Sequence, residues 1–161
     1  MTTAQTKTAI PILPSVSALA SRYDAWLCDI WGVMHNGAAA HPAAGKAGQR
    51  FRAAGGTMVL ISNAPRPADA VAAQLDRLGV PRDGYDAIIT SGDVTRALVR
   101  QETTRALFHL GPDRDKTVFV GARAPMTTDP AAAGIVVNTG LFDDLKETPA
   151  DYDPMLRGFQ A

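Results

Sequence analysis

The chain has 161 residues, the usual size of one domain and barely enough for two. With 46% apolar and 20% charged residues it can build a packed core, which excludes wholesale disorder. Lys plus Arg number 16 and Asp plus Glu number 16, and this balance argues against a nucleic-acid binder driven by phosphate neutralisation.

Residues 1–20 read as an N-terminal arm, since the first fourteen are rich in Thr and Pro and show little periodicity. Ala25–Cys28 is a short apolar run ending at Asp29, the pattern of a buried parallel strand. A loop with Gly32, Asn36, Gly37 and Pro42 leads into a helix over Ala43–Ala54, closed by Gly55-Gly56. Thr57–Ile61 is a second strand that stops at Ser62-Asn63, and Pro67 opens a helix that carries Val71, Leu75 and Leu78 on one face and ends at Gly79. Ala87–Ile89 is a third strand, with Ser91 as the expected cap of a helix bearing Val94, Leu98 and Val99. Thr117–Val120 and Ile135–Val137 are two further strand candidates around an alanine-rich helical turn, and Asp143 starts a helix-like segment. The alternation predicts an α/β fold, a Rossmann-like doubly wound parallel sheet covered on both faces.

In such a sheet ligands bind at the carboxyl ends of the strands. Those ends present Asp29, Ser62-Asn63 and Thr90-Ser91. The loop after the first strand is no dinucleotide fingerprint, and Gly45-Lys46-Ala47 lacks the hydroxyl of a P-loop. An aspartate ending the first strand is a candidate nucleophile toward phosphorus, with Mg²⁺ to offset charge repulsion and Ser62 and Asn63 as donors to phosphoryl oxygens. The competing reading makes Asp29 a strand-end cap and Ser62-Asn63 turn residues.

The segment Cys28-Asp29-Ile30-Trp31-Gly32-Val33-Met34-His35-Asn36-Gly37 resembles the first motif of the haloacid dehalogenase superfamily, in particular its class IIA branch of nitrophenyl-phosphatase and pyridoxal-phosphatase type. Leu60-Ile61-Ser62-Asn63 resembles the second motif, and the stretch from Ile89 to Leu98 is similar to the point where that branch leaves its core for the cap. The resemblance implies a Mg²⁺-dependent phosphatase of small phosphorylated metabolites working through an aspartyl-phosphate. It implies Asp29 as nucleophile and metal ligand, the backbone carbonyl of Trp31 as second metal ligand, and Ser62 with Asn63 on the phosphate. It further implies 21–90 as the first part of the hydrolase core and 91–161 as the start of an inserted α/β cap, through which such proteins form homodimers. The third and fourth motifs lie beyond the cap, so the chain reads as truncated before them. The alternative is a compact core in which Lys116 and Asp129 supply those motifs. One departure concerns chemistry: the family's general acid stands two residues after the nucleophile, where this chain has Trp31. An indole exchanges no proton at neutral pH, so a contribution of about 10²–10⁴-fold must come from elsewhere. A catalytically impaired phosphate-binding protein is therefore the competing function, and a receiver-like phosphoacceptor ranks last.

Among other residues, Cys28 alternates away from Asp29 and reads as a core thiol; alone it can form neither an internal disulfide nor a multi-cysteine zinc site. His35 is a candidate to approach the leaving group, Asn36-Gly37 a turn, Arg66 a residue within reach of a substrate anion or, more simply, a surface residue at a helix start, and Trp31 a packing residue or a wall of the site. Asp143-Asp144 reads as a solvated helix start. No run approaches the roughly 18 apolar residues of a membrane span, nor does the N-terminus follow a secretory-leader pattern, so a cytoplasmic protein without a membrane partner is expected.

Overall fold

The computed structural model describes residues 12–143 and 145–159. Most of the N-terminal arm, residues 1–11, together with Asp144 and the last two residues, lies outside them. The rest of the arm holds a one-turn helix, α1 (Ser17–Ala20).

Three parallel strands form the first sheet, in the order β1 (Ala25–Asp29), β2 (Thr57–Ser62), β3 (Ala87–Thr90). Their crossovers are α2 (Pro42–Ala53) and α3 (Ala68–Leu78). Pro42 occupies the first helical position of α2, where its missing N–H costs nothing, and Gly79 closes α3 in the left-handed conformation at φ +84°. Right-handed crossovers that advance in one direction place their helices on the same side of the sheet. Accordingly Leu60 and Met58 pack with Val71 and Leu75 of α3 and Ala44 of α2. The opposite face, expected to be covered, is open among the described residues: Leu27 is 71%, Ile61 39% and Ile89 49% exposed.

The third strand runs into α4 (Ser91–Gln101) without a loop. Thr90, not the expected Ser91, is the cap: its Oγ1 accepts the Asp93 N–H at 3.0 Å and donates to Asp93 Oδ2 at 3.0 Å. Beyond α4 lies a second parallel sheet, in the order β5 (Met126–Thr127), β4 (Leu107–Leu110), β6 (Ile135–Asn138). The central slot, paired on both sides, went unrecognised in the sequence; Leu107, Phe108 and Leu110 fill it and are buried. The strand expected over Thr117–Val120 is instead the end of a 3₁₀ helix, Asp113–Phe119. Pro112 and the acidic first turn start that helix, and Val118 and Phe119 are used as apolar packing against Val99 and Leu107 rather than as ladder residues. The segment after Asp143 becomes a 3₁₀ turn, Pro149–Tyr152, and α5 (Asp153–Gly158), entered through a capping box of Thr148 and Asp151. Among the described residues no helix is long and apolar enough to cross a membrane.

Candidate active site

Register places the expected residues at one edge of the first sheet. Asp29 lies opposite Ile61 on a strand about 4.8 Å away, and Ser62 is one residue further along that strand. Paired residues share a face and successive residues alternate. Asp29 therefore leaves on the open face with Leu27 and Ile61, and Ser62 on the packed face with Leu60. Two concavities result. Asp29 lines a groove of about 590 Å³ with Leu27, Val33 and Met34. Ser62 and Asn63 line a cavity of about 190 Å³ with Trp31, His35, Arg66 and Gln74. The structure thus brings Ser62, Asn63 and Trp31 together and sets the Asp29 side chain at the adjoining strand end.

The Asp29 carboxylate is exposed; Oδ1 accepts the Ile30 N–H at 2.7 Å, and among the described residues no cation pairs with it. Cys28 donates its thiol to the Asp29 carbonyl at 3.2 Å, and burial followed by the Asp29 charge pushes its pKa up, which makes it an inert, half-buried thiol as expected. Ser62 is 7% exposed and its Oγ accepts the Ala64 N–H at 3.1 Å, leaving the hydroxyl proton for the cavity. The exposed Asn63 amide has no partner among the described residues.

Trp31 is 59% exposed, with its indole edge-on to the His35 ring at 5.5 Å between centroids. The turn at Asn36-Gly37 holds it there. Asn36 Oδ1 accepts the Ala38 and Ala39 N–H groups at 3.0 and 2.9 Å, and Gly37 adopts φ +91° directly against the indole. A Cβ at Gly37 would come within 2.6 Å of that ring.

Arg66, read as a surface residue in preference to one that reaches a substrate anion, is a wall of the cavity, and its Nη2 donates to Gln74 Oε1 at 2.7 Å. The signal was distant in sequence: Gly92 is packed so closely on the Arg66 backbone that a Cβ there would lie 2.5 Å from it. Thr90 and Ser91, also expected at the site, belong to the α4 cap and its first turn. Lys116 and Asp129, the residues of the compact reading, sit with the second sheet. Lys116 pairs with Asp113 at 2.7 Å, and Asp129 caps the turn Pro130–Ala132 by accepting the Ala131 N–H at 3.0 Å.

The oxygens offered to a cation are the exposed Asp29 carboxylate and the Trp31 carbonyl, which accepts no hydrogen bond among the described residues. Hard oxygen donors of this kind suit Mg²⁺, which keeps several waters and is held by one or two carboxylates plus substrate phosphate. Among the described residues no group of three His, Cys, Asp or Glu converges on a metal position.

Residues 26–124 match the family model of the haloacid dehalogenase-like hydrolases, and the chain belongs to that family. It is 44% identical to a hydrolase of the haloacid dehalogenase-like family from Brucella suis 1330, with a TM-score of 0.84 over 92% of this chain and 57% of that one. A possible sugar phosphatase of the superfamily from Cytophaga hutchinsonii matches at 17% identity and TM-score 0.68, over 91% of this chain and 55% of that one. The glycerol phosphate phosphatase of Mycobacterium tuberculosis, solved with calcium, matches at 19% and TM-score 0.59, over 88% of this chain and 41% of that one. These last two are likenesses of fold. The chain spans about half the length of the solved relatives it matches. A search of curated proteins gives no match.

Proposed function

We propose that this chain carries the nucleophile-bearing portion of a class IIA, Mg²⁺-dependent phosphatase acting on a small phosphorylated metabolite in the cytoplasm. The first sheet is its share of the hydrolase core and the second sheet the start of its cap, a candidate surface for homodimers. The observation that carries the reading is the cavity beside the Asp29 strand end, lined by Ser62, Asn63, Arg66 and His35. Such a lining of hydrogen-bond donors around a positive charge favours an oxyanion. The phosphatase activities named for the two more distant relatives are in keeping with it.

In this reading Ser62 and Asn63 hold phosphoryl oxygens, and the Asp29 carboxylate attacks phosphorus. The bond to the leaving oxygen breaks, and an aspartyl-phosphate forms that water then hydrolyses. Bound Mg²⁺, held by the Asp29 carboxylate and the Trp31 carbonyl, would offset the repulsion between carboxylate and phosphate. Trp31 excludes water from one side and transfers no proton.

Asp29→Asn removes the attacking charge while preserving shape. The expected result is loss of p-nitrophenyl phosphate hydrolysis to background, with inorganic phosphate still bound. Undiminished turnover in the variant would overturn the nucleophile assignment. Trp31 in the acid's place favours a second reading, a phosphate-binding protein with little turnover.

A further inference from the structure

The His35 side chain has one ring nitrogen committed and one open. Its Nδ1 accepts the Gly37 N–H at 2.9 Å, so the proton of the neutral ring sits on Nε2. Protonating Nδ1 would set two N–H groups against each other at that distance. The residue is only 4% exposed, yet Nε2 has no protein partner among the described residues, and the ring lines the cavity of Ser62, Asn63 and Arg66. Nε2 is not cut off from solvent, so an acceptor that enters the cavity can reach its N–H.

The ring is also held in place. Gly32 donates its N–H to the His35 carbonyl at 2.7 Å, bridges join His35 to Trp31 and Ala40, and the Trp31 indole stands edge-on against the imidazole. A donor fixed before the ligand arrives needs no reorganisation on binding, which is what oxyanion stabilisation requires.

We infer that His35 is an anion-binding residue of this site, its Nε2–H donating directly to an oxygen of a phosphate held by Ser62, Asn63 and Arg66. The inference rests on the phosphate reading of this cavity and not on turnover. His35 works here as a neutral donor, keeping its proton, and so does not replace the missing general acid.

The test uses the 161-residue chain with inorganic phosphate as probe, by calorimetric titration, alongside imidazole ¹⁵N–¹H spectra. A hydrogen bond to a charged group predicts that His35→Phe weakens phosphate binding about tenfold or more. His35→Gln, whose amide reaches the Nε2 position, should stay within about threefold of the natural chain. In the natural chain the Nε2 proton resonance should move on adding phosphate, and this readout stands even if the Phe variant fails to fold. A folded His35→Phe chain with unchanged affinity, or an unmoved Nε2 resonance under saturating phosphate, overturns the assignment. Absence of phosphate binding by the natural chain overturns the parent reading and this one together. Binding without hydrolysis leaves the inference standing while the phosphatase reading falls.

Discussion

At the scale of single residues the site is organised around a substitution of role. In the proposed phosphatase the place of a proton-transferring carboxylate falls to Trp31, and the chain spends Gly37 to seat that indole, since only glycine fits beneath it with a positive φ. Trp31→Asp installs the acid but removes the ring that stands against His35. If the chain is a disarmed binder, p-nitrophenyl phosphate hydrolysis should rise by about 10²-fold or more, the usual size of general acid–base assistance. A fall in rate would instead mark a hydrolase whose loop requires the indole. The strand-end positions of Asp29 and Ser62-Asn63 were legible because strand ends can be read from where apolar runs stop. Arg66 was open to two readings, because a helix-start arginine looks the same in sequence whether it faces water or a cavity. Only the close approach of Gly92, 26 residues later, fixes the Arg66 backbone against α4.

At the scale of elements, β1, β2, β3 and β6 were legible from short apolar runs bounded by polar or turn residues. The second sheet was harder, because two adjacent runs competed for one slot. Thr117–Val120 has the better β-branched composition, yet Leu107–Leu110 takes the central position and the former closes a 3₁₀ helix. Tertiary packing overrode propensity there, as it often does in strands. That choice puts His109 in a strand, half-buried, with its Nε2 2.9 Å from Thr139 Oγ1. Burial lowers its pKa from 6.5, reinforced by Lys116 and opposed by Asp115 and Asp113. A histidine lowered on folding binds its proton more readily in the unfolded chain, so its contribution is present above pH 6.5 and is lost as pH falls through the native value. Thermal denaturation should therefore show a falling Tm between pH 7 and pH 5, with a shallower fall in His109→Gln. Parallel pH profiles for the two chains would rule out this linkage.

At the scale of the whole molecule, the first sheet shows water a face it was expected to cover. Leu27, Ile61 and Ile89 share that face, Ile61 level with Ile89 and Leu27 one rung back on β1, whose outer edge is unpaired among the described residues. Contiguous apolar surface beside an open strand edge favours association. The 161-residue chain should sediment as concentration-dependent oligomers, and Leu27→Lys should shift it toward monomer while changing stability by no more than about 0.5 kcal/mol, as exposed positions do. A monodisperse natural chain, or an unaffected variant, would contradict this. The open face was illegible from local pattern because each strand's apolar run looks buried on both sides; only the order β1-β2-β3 shows that both crossovers fall on one side.

That order also has a consequence in time. No strand of the first sheet can pair through a hairpin; each waits for a crossover helix to bring it round, and such non-local closure is slow. Yet the strands are laid down in space in the sequence in which a ribosome would deliver them, β1, then β2, then β3. Each new strand adds to the growing edge and none needs to be inserted between two already in place. The first sheet can thus assemble during synthesis while the residues of the second are still emerging. The second sheet needs no insertion either, but it grows in both directions, β5 joining one edge of β4 and β6 the other.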